Sequence, residues 1–545
     1  MATPDPTQPT RVSDSLMQAL AVSGVTRLFA LSGNQIMPLF DACLETDIEI
    51  VHTRHEAACV YMAEAHAQLT GELGVALVTA GAGLGNSVGA LYCAAESETP
   101  VLLLSGDSPC NQDGTGAFQE MPQVAMTAPF TRYSARPTSA AEAIDALSHA
   151  CAAAAGAHPG PAHLALPADL LTEPAAPTAL PTLPTRTQPG VADAAVLDAL
   201  QTALAGAARP LILLGPALNA TRQPALHPAL ATATGAAVAV LESPRGLRDP
   251  AYSNLRAPLE QADLIVLLGK RCDYTLGFGS ATDASCRWLV VDSVAAHREQ
   301  AERNLAGHLV EWLHADPTAV ACALATRTSQ PKQTTAWHSD CATALAPLAS
   351  EQPASTATAL HPGTVCEAVQ VAIDAAHHPI LICDGGEFGQ WAQAVCHAPR
   401  RVINGVAGSI GGGIPQAIAA SLAFPDAEVF VLMGDGSAGF HIAEFDTAVR
   451  HGARFTAIIG NDRRWNAEHQ IQLRSFGEER THSCSLGDAA YDAIARACGA
   501  RGERITSRPE LDQLLQARHE LPLCVDVSLA GAAAPEPSPA RPGNP

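Results

Sequence analysis

The chain has 545 residues, enough for three or four domains each with a buried core. Asp and Glu number 54 against 32 Lys and Arg, a formal charge of −22, which excludes a nucleic-acid-binding surface or an anionic-membrane partner, because both need clustered cations. Apolar residues at 47% and charged residues at 16% exclude a disordered chain, and 4% aromatics leave the cores to Ala, Leu, Val and Ile.

Met1 to Thr10 is Pro/Thr-rich and lacks the basic-then-apolar order of a signal peptide. Residues 11–171 alternate helical and strand-like segments. Arg11–Ser23 reads as an amphipathic helix, Arg27–Leu31 as a strand, Gln35–Glu45 as a helix and Ile48–Thr53 as a strand. Glu56–Thr70 reads as a helix, Gly74–Thr79 as a buried strand, 85–95 as a small-residue helix and Val101–Ser105 as a strand. Such a succession predicts a parallel sheet covered on both faces. The Pro-rich stretch 172–190 reads as a linker. A second block over 191–330 has strands at Pro210–Leu214, Ala237–Leu241, Leu264–Leu268 and Trp288–Val291. A Pro/Ser/Thr/Ala stretch at 350–362 marks the next boundary. The third block, 358–530, has strands at Pro379–Cys383, Glu428–Met433, Phe455–Ile459 and Leu523–Val527, with a helix at His441–His451. The Pro/Ala-rich tail, 531–545, is expected to be disordered. The expected fold class is α/β, with three consecutive doubly wound parallel-sheet domains.

Residues 73–95 and 403–424 are free of charge, but their glycines and polar residues, Asn86 and Gln416 among them, make poor membrane spans. Fifteen cysteines stand singly without a C-x-x-C pair, which points to reduced thiols in a cytoplasmic protein.

The chemistry concentrates in 428–462. One strand ends in Gly434-Asp435-Gly436-Ser437 and the next in Gly460-Asn461-Asp462. In a right-handed β-α-β unit the carboxyl ends of parallel strands lie side by side, so Asp435 and Asp462 can meet at one cation although 27 residues apart. Carboxylate oxygens with backbone carbonyls and water suit Mg²⁺, and the glycines let backbone amides approach a diphosphate. The inference is a metal-bridged diphosphate site. Gly81-Ala82-Gly83-Leu84-Gly85-Asn86 lacks the full dinucleotide-binding spacing, which disfavours a nicotinamide oxidoreductase.

In these motifs the chain resembles the thiamine diphosphate (ThDP) enzymes of the acetolactate synthase, benzaldehyde lyase and 2-hydroxyacyl-CoA lyase group. The likeness also includes Arg54-His55-Glu56-Ala57-Ala58, Gly116-Ala117-Phe118-Gln119-Glu120, Gly160-Pro161-Ala162-His163-Leu164, Gly408-Ser409-Ile410-Gly411 and Glu444-Phe445-Asp446-Thr447-Ala448. The resemblance implies pyrimidine-binding, central and diphosphate-binding domains. It implies ThDP and Mg²⁺ as cofactors, with Asp435, Asp462 and the Arg464 carbonyl as metal ligands. This chain has Asp462 where the family usually has Asn, which keeps an oxygen ligand and adds charge.

By the same resemblance Gly436 and Ser437 contact the diphosphate, Ile410 wedges between the two cofactor rings, and the Gly408 carbonyl meets the 4′-amino group. Glu56 hydrogen-bonds N1′ of the aminopyrimidine, where burial raises a carboxyl pKa and favours a shared proton. Asn34, Gln35, Thr79 and Gln119 are placed near the reacting carbon, and Trp465, Ala467 and His469 near the same cavity. Read from the residues alone, Glu56 complements a helix dipole, Asn34 caps a helix, Ile410 packs in a turn and His469 lies on a helix surface. Benzoylformate decarboxylases carry a His where this chain has Thr79, and the paired histidines of pyruvate decarboxylases are missing from the N-terminal block.

The implied activity is the making or breaking of a C–C bond in 2-oxo acids or 2-hydroxy carbonyl compounds through an acyl-anion enamine, acetolactate synthase-like. The alternative is a 2-hydroxyacyl-CoA, oxalyl-CoA or benzaldehyde-type lyase; another class is a non-catalytic paralogue acting as a binding module. FAD or a CoA nucleotide in the central domain stays open. Small-molecule substrates and a homodimer or homotetramer with shared active sites complete the expectation.

Overall fold

The computed structural model describes residues 10–175, 180–327, 335–347, 359–517 and 519–535. Seventeen strands in these residues form three sheets in which every pairing is parallel. The N-terminal sheet comprises β1 (Arg27–Ala30), β2 (Glu49–His52), β3 (Gly74–Val78), β4 (Val101–Asp107), β5 (Tyr133–Ala135) and β6 (Ala162–Pro167), in the order β2-β1-β3-β4-β6-β5. The central sheet comprises β7 (Pro210–Leu214), β8 (Ala237–Val240), β9 (Leu264–Leu268), β10 (Arg287–Asp292) and β11 (Leu309–His314), in the order β11-β10-β9-β7-β8. The C-terminal sheet comprises β12 (Ile380–Cys383), β13 (Arg400–Ile403), β14 (Val429–Gly434), β15 (Thr456–Asn461), β16 (Arg501–Ile505) and β17 (Leu523–Ser528), in the order β13-β12-β14-β15-β17-β16.

The N- and C-terminal sheets share one topology, and in all three the strand order reverses beside the first strand. Ligands of open α/β sheets bind at that reversal, outside the carboxyl ends of the strands. Strands β3, β7 and β9 are buried at every residue, which explains their unbroken apolar sequences.

The helix Glu56–Thr70 joins the outer domains. Its residues from Ala57 to Leu69 are all buried, because it lies between its own sheet and the helix Gly413–Ala423 of the C-terminal domain. Both helices belong to one apolar cluster that includes Phe29, Val78 and Leu103 from one domain and Ile382, Val431 and Phe445 from the other. A fully buried Leu, Ile or Phe in such a cluster contributes about 2 kcal/mol. Small residues set the spacing. A Cβ on Gly74 would lie 2.0 Å from the Ala63 carbonyl oxygen, so helix and strand meet backbone to backbone there.

Two expectations need correction. The helix expected at His441–His451 is two helices, Asp435–His441 and Glu444–Arg450, so helical structure starts at Asp435 itself. The break places Glu444 at a helix start, where its carboxylate reaches the N-terminal domain. The tail expected to be disordered from 531 is ordered to 535: Ala534 is buried and its N–H donates to Glu387 Oε1 at 2.7 Å. The linker 172–190 runs, in its described part, over the surface of the N-terminal domain, anchored by buried Leu183 and by Leu73 N–H donating to the Thr185 carbonyl. The stretch 350–358 and the chain beyond 535 lie outside the described residues.

No helix among the described residues is long and apolar enough to cross a membrane, and all fifteen cysteines are free thiols. We expect Gly74→Ala to force the helix Glu56–Thr70 away from β3 and to cost about 1–3 kcal/mol, as overpacking does. Thermal denaturation checks this, and an unchanged midpoint would refute the close approach.

Candidate active site

The predicted residues fall into two groups, each at a sheet reversal. In the N-terminal domain β1 leads to Asn34 and Gln35, β3 leads to Thr79, and the loop after β4 carries Gln119. The Thr79 hydroxyl donates to Gln35 Oε1 at 2.7 Å, and Gln35 Nε2 donates to Gln119 Oε1 at 2.7 Å. The chain needs Gly33, because a Cβ there would sit 2.2 Å from Thr79 Cβ. Gln119 has a positive φ of 61°, a conformation costly for a non-glycine residue and common at ligand sites. Its loop is folded around Glu120, whose carboxylate accepts the N–H groups of Gly114, Gly116 and Ala117 and is thereby held below the usual carboxylate range.

Glu56 opens its helix, and His55 caps that helix by accepting the Ala57 N–H at its Nδ1. Asn86 Nδ2 donates to Glu56 Oε2 at 3.0 Å, and a Cβ on Gly83 would lie 3.5 Å from Glu56 Oε1 and 2.7 Å from Thr79 Cγ2. Glu56 and Thr79 therefore flank the same glycine. Asn34 is exposed at the rim and is not the cap of its short 3-10 turn, a position held by Gly33.

In the C-terminal domain a cavity of about 140 Å³ opens at the carboxyl ends of β12, β14 and β15. Asp435 and Asp462 both line it, because Gly434 pairs with Gly460 in register. Burial raises the Asp435 carboxyl to about 6, and burial together with the Asp435 charge raises Asp462 to about 7. Asp435 is 2% exposed and its Oδ2 has no hydrogen-bond partner. Asn461 turns away, donating to the Ala489 carbonyl and to Asp526 Oδ1, so Asp462 alone of that pair faces the cavity.

Arg464 pairs with Ser485 in an antiparallel bridge bracketed by Trp465 N–H to Cys484 O and Leu486 N–H to Arg463 O. The amide and carbonyl of a residue so bracketed point away from the partner strand, here to the side of the two carboxylates, on which the Arg464 N–H acts. Two carboxylates and a carbonyl form an all-oxygen donor set, which fits a hard divalent cation such as Mg²⁺. No group of three or more His, Cys, Asp or Glu side chains able to hold a metal occurs among the described residues.

Gly436 and Ser437 lie in the first turn of the helix Asp435–His441, and the Trp465 ring covers Gly436, where a Cβ would come within 2.5 Å of it. Gly408 and Ile410 line the same cavity. The sequence reading missed the residue that shapes their loop, Asp384. Its buried carboxylate accepts the N–H groups of Gly385 at 2.6 Å, Gly411 at 3.0 Å and Gly413 at 2.9 Å, while burial lifts it to about 6. Its signal was available, because Asp384-Gly385-Gly386 follows a strand just as Gly434-Asp435-Gly436 ends one. Also missed was Arg245 of the central domain, which lines the cavity half-buried with Glu387 as its chief opposite charge. Trp465 and Ala467 line the cavity; His469 does not.

The two groups do not line one cavity within the chain. Glu56, Gln35, Thr79 and Gln119 are absent from the lining of the Asp435 cavity. At about 140 Å³ that cavity is also smaller than the roughly 300 Å³ or more of whole-cofactor sites. The reversal of the central sheet, between β7 and β9, is closed: a Cβ on Gly215 would lie 2.1 Å from the Gly269 carbonyl oxygen. Glu98 and His158 of the N-terminal domain and Asp292 face it, a set that does not fit a nucleotide phosphate.

Residues 10–126 match the family described as "Thiamine pyrophosphate enzyme, N-terminal TPP binding domain", and 384–527 its "C-terminal TPP binding domain". The chain is 30% identical to the acetolactate synthase large subunit IlvG of Mycobacterium tuberculosis, over 96% of each chain. It is 31% identical to the 2-hydroxyacyl-CoA lyase 2 of Bos taurus, over 92% of this chain and 86% of that one. The solved structure of a thiamine diphosphate-dependent 4-hydroxybenzoylformate decarboxylase from Rhodococcus jostii RHA1 shares the fold, with a TM-score of 0.78, 21% identity and coverage of 95% and 99%.

Removing the Asp384 carboxylate would strand three N–H groups in a buried loop. We expect Asp384→Ala to cost about 3 kcal/mol or more, with ThDP affinity lost through the displaced Gly408–Ile410 segment. Urea unfolding and calorimetry check both, and intact cofactor affinity would remove Asp384 from its role.

Proposed function

Because the chain belongs to the thiamine pyrophosphate enzymes, of the acetolactate synthase and 2-hydroxyacyl-CoA lyase type, we propose that it uses ThDP with Mg²⁺ to make or break a C–C bond beside a carbonyl. The observation that carries this reading is the pairing of buried Asp435, one of whose carboxylate oxygens is unpartnered, with half-buried Asp462 in one cavity. When bound, ThDP supplies the electron sink that gives a carbonyl carbon acyl-anion character.

Asp435, Asp462 and the Arg464 carbonyl hold the metal, which offsets the repulsion between two neighbouring acids. Gly436 and Ser437 hold the diphosphate, with the short backbone approach that Gly436 allows under Trp465. Asp384 fixes the loop that presents the Gly408 carbonyl and the Ile410 side chain to the cofactor. Glu56 holds a proton with N1′ of the aminopyrimidine. Gln35, Gln119 and Thr79 form a connected array of neutral donors and acceptors suited to orienting substrate oxygens, with Asn34 at its rim. No group in that array exchanges a proton near neutral pH, so it positions a second carbonyl better than it protonates a carbanion. An acetolactate synthase-like carboligation of 2-oxo acids is therefore the leading reaction.

Cleavage of a 2-hydroxyacyl-CoA is the second reading, favoured by the 2-hydroxyacyl-CoA lyase 2 relatives. The separation of Glu56 from the Asp435 cavity within one chain supports active sites shared between two subunits, hence a homodimer or a tetramer of such pairs. The free thiols suit a reducing, cytoplasmic setting.

Asp435→Ala should abolish Mg²⁺-dependent ThDP binding in calorimetry; unchanged affinity would refute the metal assignment. Glu56→Gln should keep cofactor binding and lower turnover by about 100-fold or more. Mass spectrometry of products from 2-oxo acids, acyloins and 2-hydroxyacyl-CoAs assigns the reaction. Acyloin products from 2-oxo acids support ligation, whereas aldehydes released only from the CoA substrates support the lyase.

A further inference from the structure

The residues that lead into Glu56 are held by the C-terminal domain of the same chain. Glu444 begins the helix Glu444–Arg450 and is 1% exposed. Its Oε1 accepts the Arg54 N–H at 3.0 Å, its Oε2 accepts the Thr447 hydroxyl at 2.6 Å, and the His55 N–H also bears on the carboxylate. Upstream, the His52 N–H donates to His451 Nε2 at 3.0 Å, and the Arg450 guanidinium donates to the His52 carbonyl at 2.7 Å. The His55 ring meets the His441 ring edge-on, with centroids 5.3 Å apart. The chain from His52 to His55 thus ends β2 and crosses to Glu56 with the N–H groups of His52, Arg54 and His55 turned to another domain, while that of Thr53 stays on the Ala30 carbonyl of its own.

This grip is costly as mere packing. A buried carboxylate loses hydration that an apolar side chain joining the same surfaces would not lose. What the carboxylate offers is direction, because it fixes the peptide planes immediately before Glu56. Glu444 also follows Asp435 by nine residues, across the helix Asp435–His441, so one short stretch both lines the metal cavity and holds the start of the Glu56 helix.

We propose that Glu444 is a positioning residue for Glu56, holding its carboxylate at the angle at which it shares a proton with the aminopyrimidine. The inference rests on the reading of Glu56 given above. A displacement of about 1 Å at a reacting group costs up to about 100-fold in rate.

The test uses full-length protein saturated with ThDP and Mg²⁺. Glu444→Gln and, separately, Arg450→Met, a partly exposed position, are compared alone and combined with Glu56→Gln. The expected result is a fall in kcat of about tenfold or more with ThDP affinity unchanged in calorimetry, and no further fall in the Glu56→Gln background. Unchanged kcat, or a fall that multiplies with that of Glu56→Gln, overturns the proposal, since a structural defect acts independently of Glu56. Wild-type turnover of Glu56→Gln alone instead refutes the role of Glu56, and the proposal with it. Should Glu444→Gln fail to fold, Arg450→Met decides by the same comparison.

Discussion

Two acids held side by side at neighbouring strand tips are the constraint around which the C-terminal domain is arranged. Pairing of β14 with β15 in register brings Asp435 and Asp462 to one edge, and burial then makes their proximity costly unless a cation joins them. The surroundings reinforce that demand. Asn461, which could have diluted the charge, is turned into the domain towards Asp526, while the Arg464 backbone is aimed at the carboxylates. Uptake of a proton by Asp462, raised to about 7, or a cation between the two acids relieves that repulsion.

The second organising element is the packing of the helix Glu56–Thr70 against the helix Gly413–Ala423. Small side chains let the helices and β3 approach closely, and Tyr61 hydroxyl reaches Ser409 Oγ at 2.9 Å, next to Ile410. One apolar core therefore underlies both groups of functional residues.

The central domain contributes less through its own crevice than through its edges. The reversal between β7 and β9 is filled by backbone and by Glu98, His158 and Asp292, whereas the loop after β8 sends Arg245 into the C-terminal cavity. There it places one cation opposite Glu387.

The three α/β blocks, the buried strands other than β6, whose run His163 interrupts, and the motifs around Glu56 and Asp435 were legible in the sequence, since strands covered on both faces read as unbroken apolar runs and Gly-Asp-Gly is a local signature. The edge strands β5, β11, β13 and β16 were not, because their half-exposed, polar residues carry no such pattern. Only the tertiary structure decided that Asp462 and not Asn461 faces the cavity, that Asp384 folds the Gly408–Gly413 loop, that the helix after Asp435 breaks before Glu444, and that residues 531–535 lie against Glu387 and Asn466. Each of these depends on a hydrogen bond between segments far apart in the chain, and such a bond leaves no trace in the local periodicity of either partner.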